Sequence, residues 1–160
     1  MDSKILLSIL KAGTEKIFES MVRMTVKAET TEEEFVLPQK HVTAMVGFAG
    51  THVGLASIHC SMDFGIKIAS SMTGIKIEDL TGEDMRDALG EIANMIAGDF
   101  KSRFADNLVE KDSVFDQSVP SVISGEDYST FTVTDAPRYC LKVNANTGDV
   151  FYVELALKEA

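Results

Sequence analysis

The longest periodic segment of the sequence is TGEDMRDALGEIANMIAGDFKSRFADNL, residues 81–108. On a helix that advances 100° per residue, its large apolar residues fall within one stripe, which a protein core would bury. These residues are Met85, Leu89, Ile92, Ile96 and Phe100. Thr81 is a candidate N-cap, and Glu83 and Asp84 stand in the first turn, where the helix dipole favours negative charge. The segment therefore predicts one long amphipathic helix.

The segments that precede this helix predict two more helices and three strands. Apolar residues recur every three or four positions in the first 21 residues, which predicts a helix, and alternation from Met24 onward predicts a strand. Two β-rich runs separated by only two residues predict a hairpin, and a short helix with a glycine C-cap follows them. The predicted bounds are Val42–Ala49 and His52–Ser61 for the hairpin strands and Asp63–Met72 for the short helix, with Gly74 as its cap.

Three β-rich runs follow the long helix, namely Val114–Ser124, Thr130–Asn144 and Val150–Leu157. The last two are joined by a short polar segment in which Gly148 can adopt the positive φ that a tight turn needs. The order of elements predicts an α+β fold with two long helices on an extended, largely antiparallel sheet, in a single domain of residues 1–160. The last run lacks proline and is predicted to offer an open sheet edge to a second copy of the chain.

Composition excludes several classes of protein. The chain has 160 residues and is 45% hydrophobic, which is too apolar for a disordered protein. It contains no run of about 18 apolar residues that could span a membrane. A net charge of -10 argues against binding to nucleic acid or to anionic membranes, both of which attract basic surfaces. The N-terminus lacks the basic segment and cleavage site of a signal peptide, so we expect a cytoplasmic protein.

The cysteines and histidines do not form a metal-binding pattern. Cys60 and Cys140 lie 80 positions apart without a second cysteine nearby, and we favour free buried thiols over a disulfide. His41, His52 and His59 lack a cluster of Glu or Cys at ligand spacing, so ordinary hydrogen-bonded histidines are expected rather than a zinc site. Glycine-rich nucleotide-binding motifs are also missing. We therefore expect that the chain itself binds no cofactor or metal.

A polar face lies opposite the apolar stripe of the long helix. Asp87, Glu91 and Asn94 are spaced four and three residues apart, so they are neighbours on this face. Gly90 and Gly98 flank Asn94, although each glycine costs a helix interior about 1 kcal/mol relative to alanine. Two explanations remain open from the spacing: another protein approaches the helix closely here, or the first helix packs across the glycines.

The segment Asp87–Gly98 resembles the signature of the CheC/CheX/FliY chemotaxis phosphatases. That signature has Asp or Ser, three residues, Glu, two residues, Asn, and a proline further along the chain. Pro120–Gly125 and the segment from Val46 to Gly74 also resemble this family, although the 25 residues between Asn94 and Pro120 exceed the usual gap slightly. CheC-type and FliY-type members carry the motif twice. The first helix here has no second copy, so the chain is similar to the CheX type.

This resemblance implies both a reaction and a partner. It implies a CheC/CheX-like fold, a homodimer, and hydrolysis of the aspartyl phosphate on a CheY-like receiver domain, which brings its own Mg²⁺. Asn94 would hold the attacking water, and Glu91 would pair with the receiver's active-site lysine. Asp87, Gly90 and Gly98 would face the partner. The alternative is a non-catalytic dimeric module that only binds or scaffolds a signalling protein.

Because Asn94 is expected at the surface, its replacement by alanine should change the free energy of unfolding by no more than about 0.5 kcal/mol.

Overall fold

The computed structural model describes residues 2–107, 115–130 and 135–160. Within these residues, three α-helices pack on one antiparallel sheet of seven strands. The α+β architecture predicted from the order of elements is therefore confirmed. The helices are α1 (Ser3–Ile17), α2 (Met62–Thr73) and α3 (Gly82–Asp106), and the strands are β1 (Val26–Thr30), β2 (Lys40–Gly50), β3 (His52–Ser61), β4 (Phe115–Gln117), β5 (Ser121–Glu126), β6 (Arg138–Ala145) and β7 (Val150–Glu159).

The ends of the helices follow the local capping signals. Thr81 and Asp84 form a capping box before α3, in which each side chain accepts a hydrogen bond from the backbone N–H of the other. Gly74 ends α2 with a φ of 74°, in the left-handed region where glycine is favoured. A π-helical turn, Phe18–Val22, extends α1, and Arg23 ends it with a φ of 59°. The predicted helices are thus present, with the first divided into two helical types.

The sheet has the strand order β1–β6–β7–β3–β2, and the outer edge of β2 pairs with both β4 and β5. β7 lies between β3 and β6 and is hydrogen-bonded on both sides. The prediction that Val150–Leu157 offers an open edge is therefore wrong. Residues 151–157 are buried without a break, as expected for a central strand covered on both faces.

The segment after α3 differs from the prediction of one continuous strand. Val114–Ser124 contains two short strands, β4 and β5, and Val114 itself lies outside the described residues. Gln117 is opposite Phe48 of β2, whereas Ser121 is opposite Met45. Three residues of this segment therefore face two residues of β2, which is a β-bulge of one residue. Ser118 fastens the bulge, since its N–H donates to the carbonyl of Gly47 at 2.8 Å and its Oγ accepts from the N–H of Gly47 at 2.9 Å.

The second predicted run after α3 is also shorter than expected. Thr130–Asn144 contains only β6, which begins at Arg138, and residues 131–134 lie outside the described residues. The turn from β6 to β7 is the predicted one, and Gly148 has a φ of 89° there. Cys60 and Cys140 are free thiols, as predicted, but only Cys60 is buried, and Cys140 is half-buried. Burial raises the pKa of Cys60 to about 12. In the described part of the chain, no helix combines the length and apolar character needed to cross a membrane.

The helices cover one face of the sheet, and α3 lies centrally in this layer. α3 contacts both α1 and α2 and packs on β2, β3 and β5. Alternate residues of the central strands point into this core, as the period of two in a strand requires. On β2 these residues are Val42, Ala44, Val46 and Phe48. The buried stripe of α3 faces them, so its predicted polar face is turned away from these central strands.

Candidate functional site

The candidate site is the surface of α3 formed by Asp87, Glu91 and Asn94, which we call the motif face. The side chains of Asp87 and Glu91 are exposed and lie one turn apart. In residues 2–107, 115–130 and 135–160, neither carboxylate takes part in an ion pair or side-chain hydrogen bond. Both are therefore available to a cationic group on an approaching partner. Asn94 differs from them because it is half-buried.

Asn94 is half-buried because Gln117 packs against it. Nε2 of Gln117 donates a hydrogen bond to Oδ1 of Asn94 at 2.9 Å and approaches the backbone carbonyl oxygen of Asn94 at 3.3 Å. Gln117 belongs to no motif and was not predicted from the sequence. A signal was present in its spacing from Phe115, since residues two apart on a strand share a face. Phe115 is 2% exposed and faces the core, so Gln117 also faces α3.

The two glycines beside Asn94 contact the β4–β5 segment of the same chain. Gly90 is buried, and a Cβ at this position would lie 3.5 Å from Cγ2 of Val122 and 3.6 Å from Cγ of Pro120. A Cβ at Gly98 would lie 3.6 Å from Oε1 of Gln117. The expected clearing of the surface at Gly90 for a partner is therefore wrong, because Pro120 and Val122 already cover it. Gly98 is half-buried, and its contact with a partner stays a prediction.

The alternative explanation, that the first helix packs across these glycines, is also wrong. α1 meets α3 on another side, where Gly13 is buried against Asp99. A Cβ on residue 13 would collide with the carboxylate of Asp99, so the glycine that allows the two helices to approach lies on α1. Asp99 is held in turn by Arg103, whose Nε donates to Oδ2 at 2.6 Å. This packing leaves the motif face uncovered by α1.

An apolar group borders the motif face. Pro120 is exposed, and Val119, at the bulge, is 83% exposed. Exposed single apolar residues are common, so Val119 alone indicates little. Val119 is next in sequence to Pro120, which packs on α3 at Gly90, so an apolar group lies at the border of the motif face.

The histidines lie apart from the motif face and are hydrogen-bonded, as predicted. Nδ1 of His41 is 3.0 Å from the carbonyl of Pro38, and Nδ1 of His59 is 2.9 Å from Oγ1 of Thr43. Burial lowers the pKa of His52. Among the described residues, no three His, Cys, Asp or Glu side chains are grouped closely enough to hold a metal ion.

A second polar cluster lies on the face of the sheet that the helices do not cover. Arg138 donates two hydrogen bonds to Glu154, at 3.0 and 2.9 Å, and Nε2 of His59 lies 3.6 Å from the same carboxylate. Burial alone would raise the pKa of Glu154, but its interactions with His59 and Arg138 outweigh burial and lower the pKa to about 2. A cavity of about 580 Å³ opens beside this cluster, and the motif face does not line it.

The motif face has the character of a protein-binding surface. Its residues stand on a convex helix, and small-molecule sites are usually concave and largely apolar. Two carboxylates can pair with a cation of a partner, and a carboxamide can donate or accept a hydrogen bond without adding charge. The arrangement can therefore present a neutral hydrogen-bonding group beside two acidic contacts to the surface of another protein.

Comparison with known proteins shows the family to which the chain belongs. The family model described as "Chemotaxis phosphatase CheX" matches residues 42–144, more than half of the chain, and the match includes the whole motif face. No curated protein sequence matches the chain.

Solved structures share the fold over nearly the whole chain. A CheC-like superfamily protein from Shewanella sp. PV-4 has a TM-score of 0.81 and 22% identity, with 99% of each chain covered. The chemotaxis protein CheX from Desulfovibrio desulfuricans has a TM-score of 0.78 and 23% identity, with 96% of this chain and 99% of that chain covered. The complex of CheX with CheY, BeF3 and Mg²⁺ from Borrelia burgdorferi has a TM-score of 0.76 and 19% identity, with 99% of each chain covered. The chain described here belongs to the CheX family of chemotaxis phosphatases.

Proposed function

We propose that this protein hydrolyses the aspartyl phosphate of a CheY-like receiver domain. The observation that carries the proposal is the motif face, where exposed Asp87 and Glu91 stand beside Asn94, whose amide Gln117 holds. The Borrelia burgdorferi structure supports the class of partner, since it combines a CheX protein with CheY, BeF3 and Mg²⁺. BeF3 mimics a phosphoryl group, so that complex resembles one with a phosphorylated receiver.

The proposed chemistry requires positioning more than covalent catalysis. Phosphoryl transfer proceeds when an attacking water is held in line with the leaving oxygen and the developing charge is neutralised. The receiver supplies Mg²⁺ and a lysine, as part of the substrate. Asn94 holds the water, and its neutral amide places no further negative charge near the phosphate. Holding the water in place lowers the entropic part of the barrier.

The carboxylates of the motif face provide the contacts with the receiver. Glu91 pairs with the receiver's lysine across the interface, which sets the register of the two proteins. Asp87 lies one turn before it and makes a second polar contact. Val119 and Pro120 add an apolar contact at the border of the motif face, where both are exposed. These assignments follow the family resemblance and the exposure of the side chains.

A homodimer and a cytoplasmic location are part of the same proposal. Dimerisation cannot use the edge of β7, which is paired on both sides. The strands that pair on only one side within the described residues are β1, β4 and β5, so an extended sheet across two copies would join there.

The experiment that tests the proposed activity follows phosphate release from phosphorylated receiver domains with and without the protein. We expect stimulated release by the wild type and by Asn144→Ala, a control in which an exposed asparagine of β6 is removed. We expect strongly reduced release by Asn94→Ala. Binding to the receiver without any stimulation by the wild type would contradict the proposal and favour a non-catalytic scaffold.

A further inference from the structure

We infer that Gln117 is a positioning residue, which holds the carboxamide of Asn94 with its oxygen turned inward and its NH2 group turned towards the partner. This inference rests on the proposed function of Asn94. It assigns a task to a strand residue outside the motif. It also specifies which end of the Asn94 amide is presented to the receiver.

The backbone carbonyl of Asn94 determines the orientation of both amides. A carbonyl oxygen can only accept, so the atom of Gln117 that lies 3.3 Å from it must be the NH2 nitrogen. The same nitrogen lies 2.9 Å from a side-chain atom of Asn94, and this atom must also be an acceptor. It is therefore Oδ1. Since Nε2 carries two hydrogens, both contacts can be made at once, and flipping either amide would bring two donors or two acceptors together.

The consequence for Asn94 is that Nδ2 points away from Gln117. With Oδ1 turned inward to Gln117, the group presented to a partner is a pair of N–H donors. The oxygen of a water and the oxygens of a phosphoryl group are both acceptors, so either can receive these hydrogen bonds. An Asn94 amide rotated by 180° would present its oxygen to the phosphate instead, where it would be repelled.

Gln117 is itself held rigidly enough to serve as a support. It lies on β4 opposite Phe48 of β2, and β4 is anchored by Phe115, which packs edge-on against Phe48 with ring centroids 5.0 Å apart. The Gln117 side chain occupies the space above Gly98, where a Cβ would already be in van der Waals contact with it. A site residue supported from a strand has less freedom to rotate than one on an unsupported surface.

The test compares Gln117→Ala and Gln117→Glu with the wild type. Glutamate at 117 has no N–H to offer, so Asn94 must turn its own NH2 inward to keep a hydrogen bond. The hydrogen bond between position 117 of β4 and Asn94 of α3 is kept, but Asn94 then presents its oxygen, and not its NH2 group, to the partner. Gln39→Ala is the matched control, since Gln39 is exposed and bonds only to Glu126 and Asp127 among the described residues.

We expect both Gln117 variants to lower kcat by about 10-fold to 100-fold, the range that follows from misplacing a catalytic group by about 1 Å. KM should stay within about twofold for Gln117→Ala, and Gln39→Ala should behave as the wild type. In an Asn94→Ala background, neither Gln117 substitution should lower kcat further. A Gln117→Glu variant with wild-type kcat would overturn the inference, because a merely structural contact would survive that change. A further loss of kcat from Gln117→Glu in the Asn94→Ala background would also overturn it, because the new carboxylate at position 117 would then act by repelling the phosphate and not through Asn94.

Hydrogen exchange of the side-chain amides, measured by NMR, separates this inference from the proposed activity. In the wild type we expect protected Nε2 hydrogens on Gln117 and rapidly exchanging Nδ2 hydrogens on Asn94. In Gln117→Glu the Nδ2 hydrogens of Asn94 should become protected. An inactive wild type with this exchange pattern would refute the proposed function while supporting the amide orientation. Protected Nδ2 hydrogens in the wild type would refute the orientation, whatever the activity.

Discussion

Replacing Asn94 by alanine tests the candidate site most directly, since the structure allows its effects on stability and activity to be worked out separately. The change removes the hydrogen bond from Gln117 to Oδ1, which measures 2.9 Å, and leaves the weaker contact to the backbone carbonyl. A hydrogen bond of this kind contributes about 0.5–1.5 kcal/mol net. Alanine favours the helix over asparagine by up to about 0.7 kcal/mol, which offsets part of that loss.

The expected destabilisation of Asn94→Ala is therefore between about 0 and 1 kcal/mol. For a chain of this size it corresponds to a fall in Tm of no more than about 4 °C. The figure overlaps the limit of about 0.5 kcal/mol expected from the sequence, but the reason differs. Asn94 is not a free surface residue. Two opposing contributions nearly cancel.

The expected effect on activity is much larger. Removing one preorganised hydrogen-bond donor from an active site lowers kcat by about 10²–10³-fold. Because the interaction is needed mainly in the transition state, turnover should fall more than affinity for the receiver. Phosphate release would be timed at saturating phosphorylated receiver, alongside thermal melts, with Asn144→Ala as the control. Full activity would refute the water-positioning role, and a fall in Tm of more than about 8 °C would show that Asn94 is chiefly structural.

Four further expectations follow from individual residues. Glu91→Lys should weaken binding to a BeF3-loaded receiver as well as turnover, because like charges then meet across the interface; unchanged affinity by calorimetry would remove Glu91 from it. Gly98→Ala should raise the free energy of unfolding by up to about 1 kcal/mol, because alanine favours the helix and its Cβ would lie an ordinary 3.6 Å from Oε1 of Gln117. The same change should lower affinity for the receiver, because the added methyl group obstructs the close approach expected at Gly98. The pKa of Glu154 is lowered from 4.5 to about 2 despite burial, so the stability that its ionised form provides is complete above about pH 4.5 and is lost as the pH falls towards 2. The urea midpoints measured at pH 3 and pH 7 should therefore differ less in Glu154→Gln than in the wild type. An equal difference in the two proteins would contradict this expectation. Light scattering at micromolar concentration should give the mass of a dimer, and a strictly monomeric mass would exclude it.

The parts of the fold that were predicted correctly depend on local signals. The capping box at Thr81, the glycine after α2 and the turn at Gly148 each act within about four residues, so the sequence near them suffices. The position of β7 in the sheet depends on which strands flank it, and this is not local. Its apolar run, which only Glu154 interrupts, was nevertheless a signal for a central strand, because an edge strand with one wet face would alternate.

The candidate site was predicted only as far as α3 extends. Helical periodicity places Asp87, Glu91 and Asn94 on one face whatever the rest of the chain does. What covers Gly90 and supports Asn94 comes from residues more than twenty positions further along the chain, and neither of the two explanations considered for the glycines included that segment. The spacing of glycines on a helix indicates that another segment or molecule packs closely there, but it does not identify that segment or molecule.

The β-bulge explains how one short segment can contact α3 at two glycines. Gln117 and Val122 are five positions apart, so in a regular strand with a period of two their side chains would point to opposite faces. The extra residue between β4 and β5 restores the phase, and both side chains then point towards α3, Gln117 above Gly98 and Val122 above Gly90. A regular strand could have placed Val122 above Gly90 or Gln117 beside Asn94, but not both. The bulge next to Pro120 is therefore the structural feature that couples the outer strands of the sheet to the motif face.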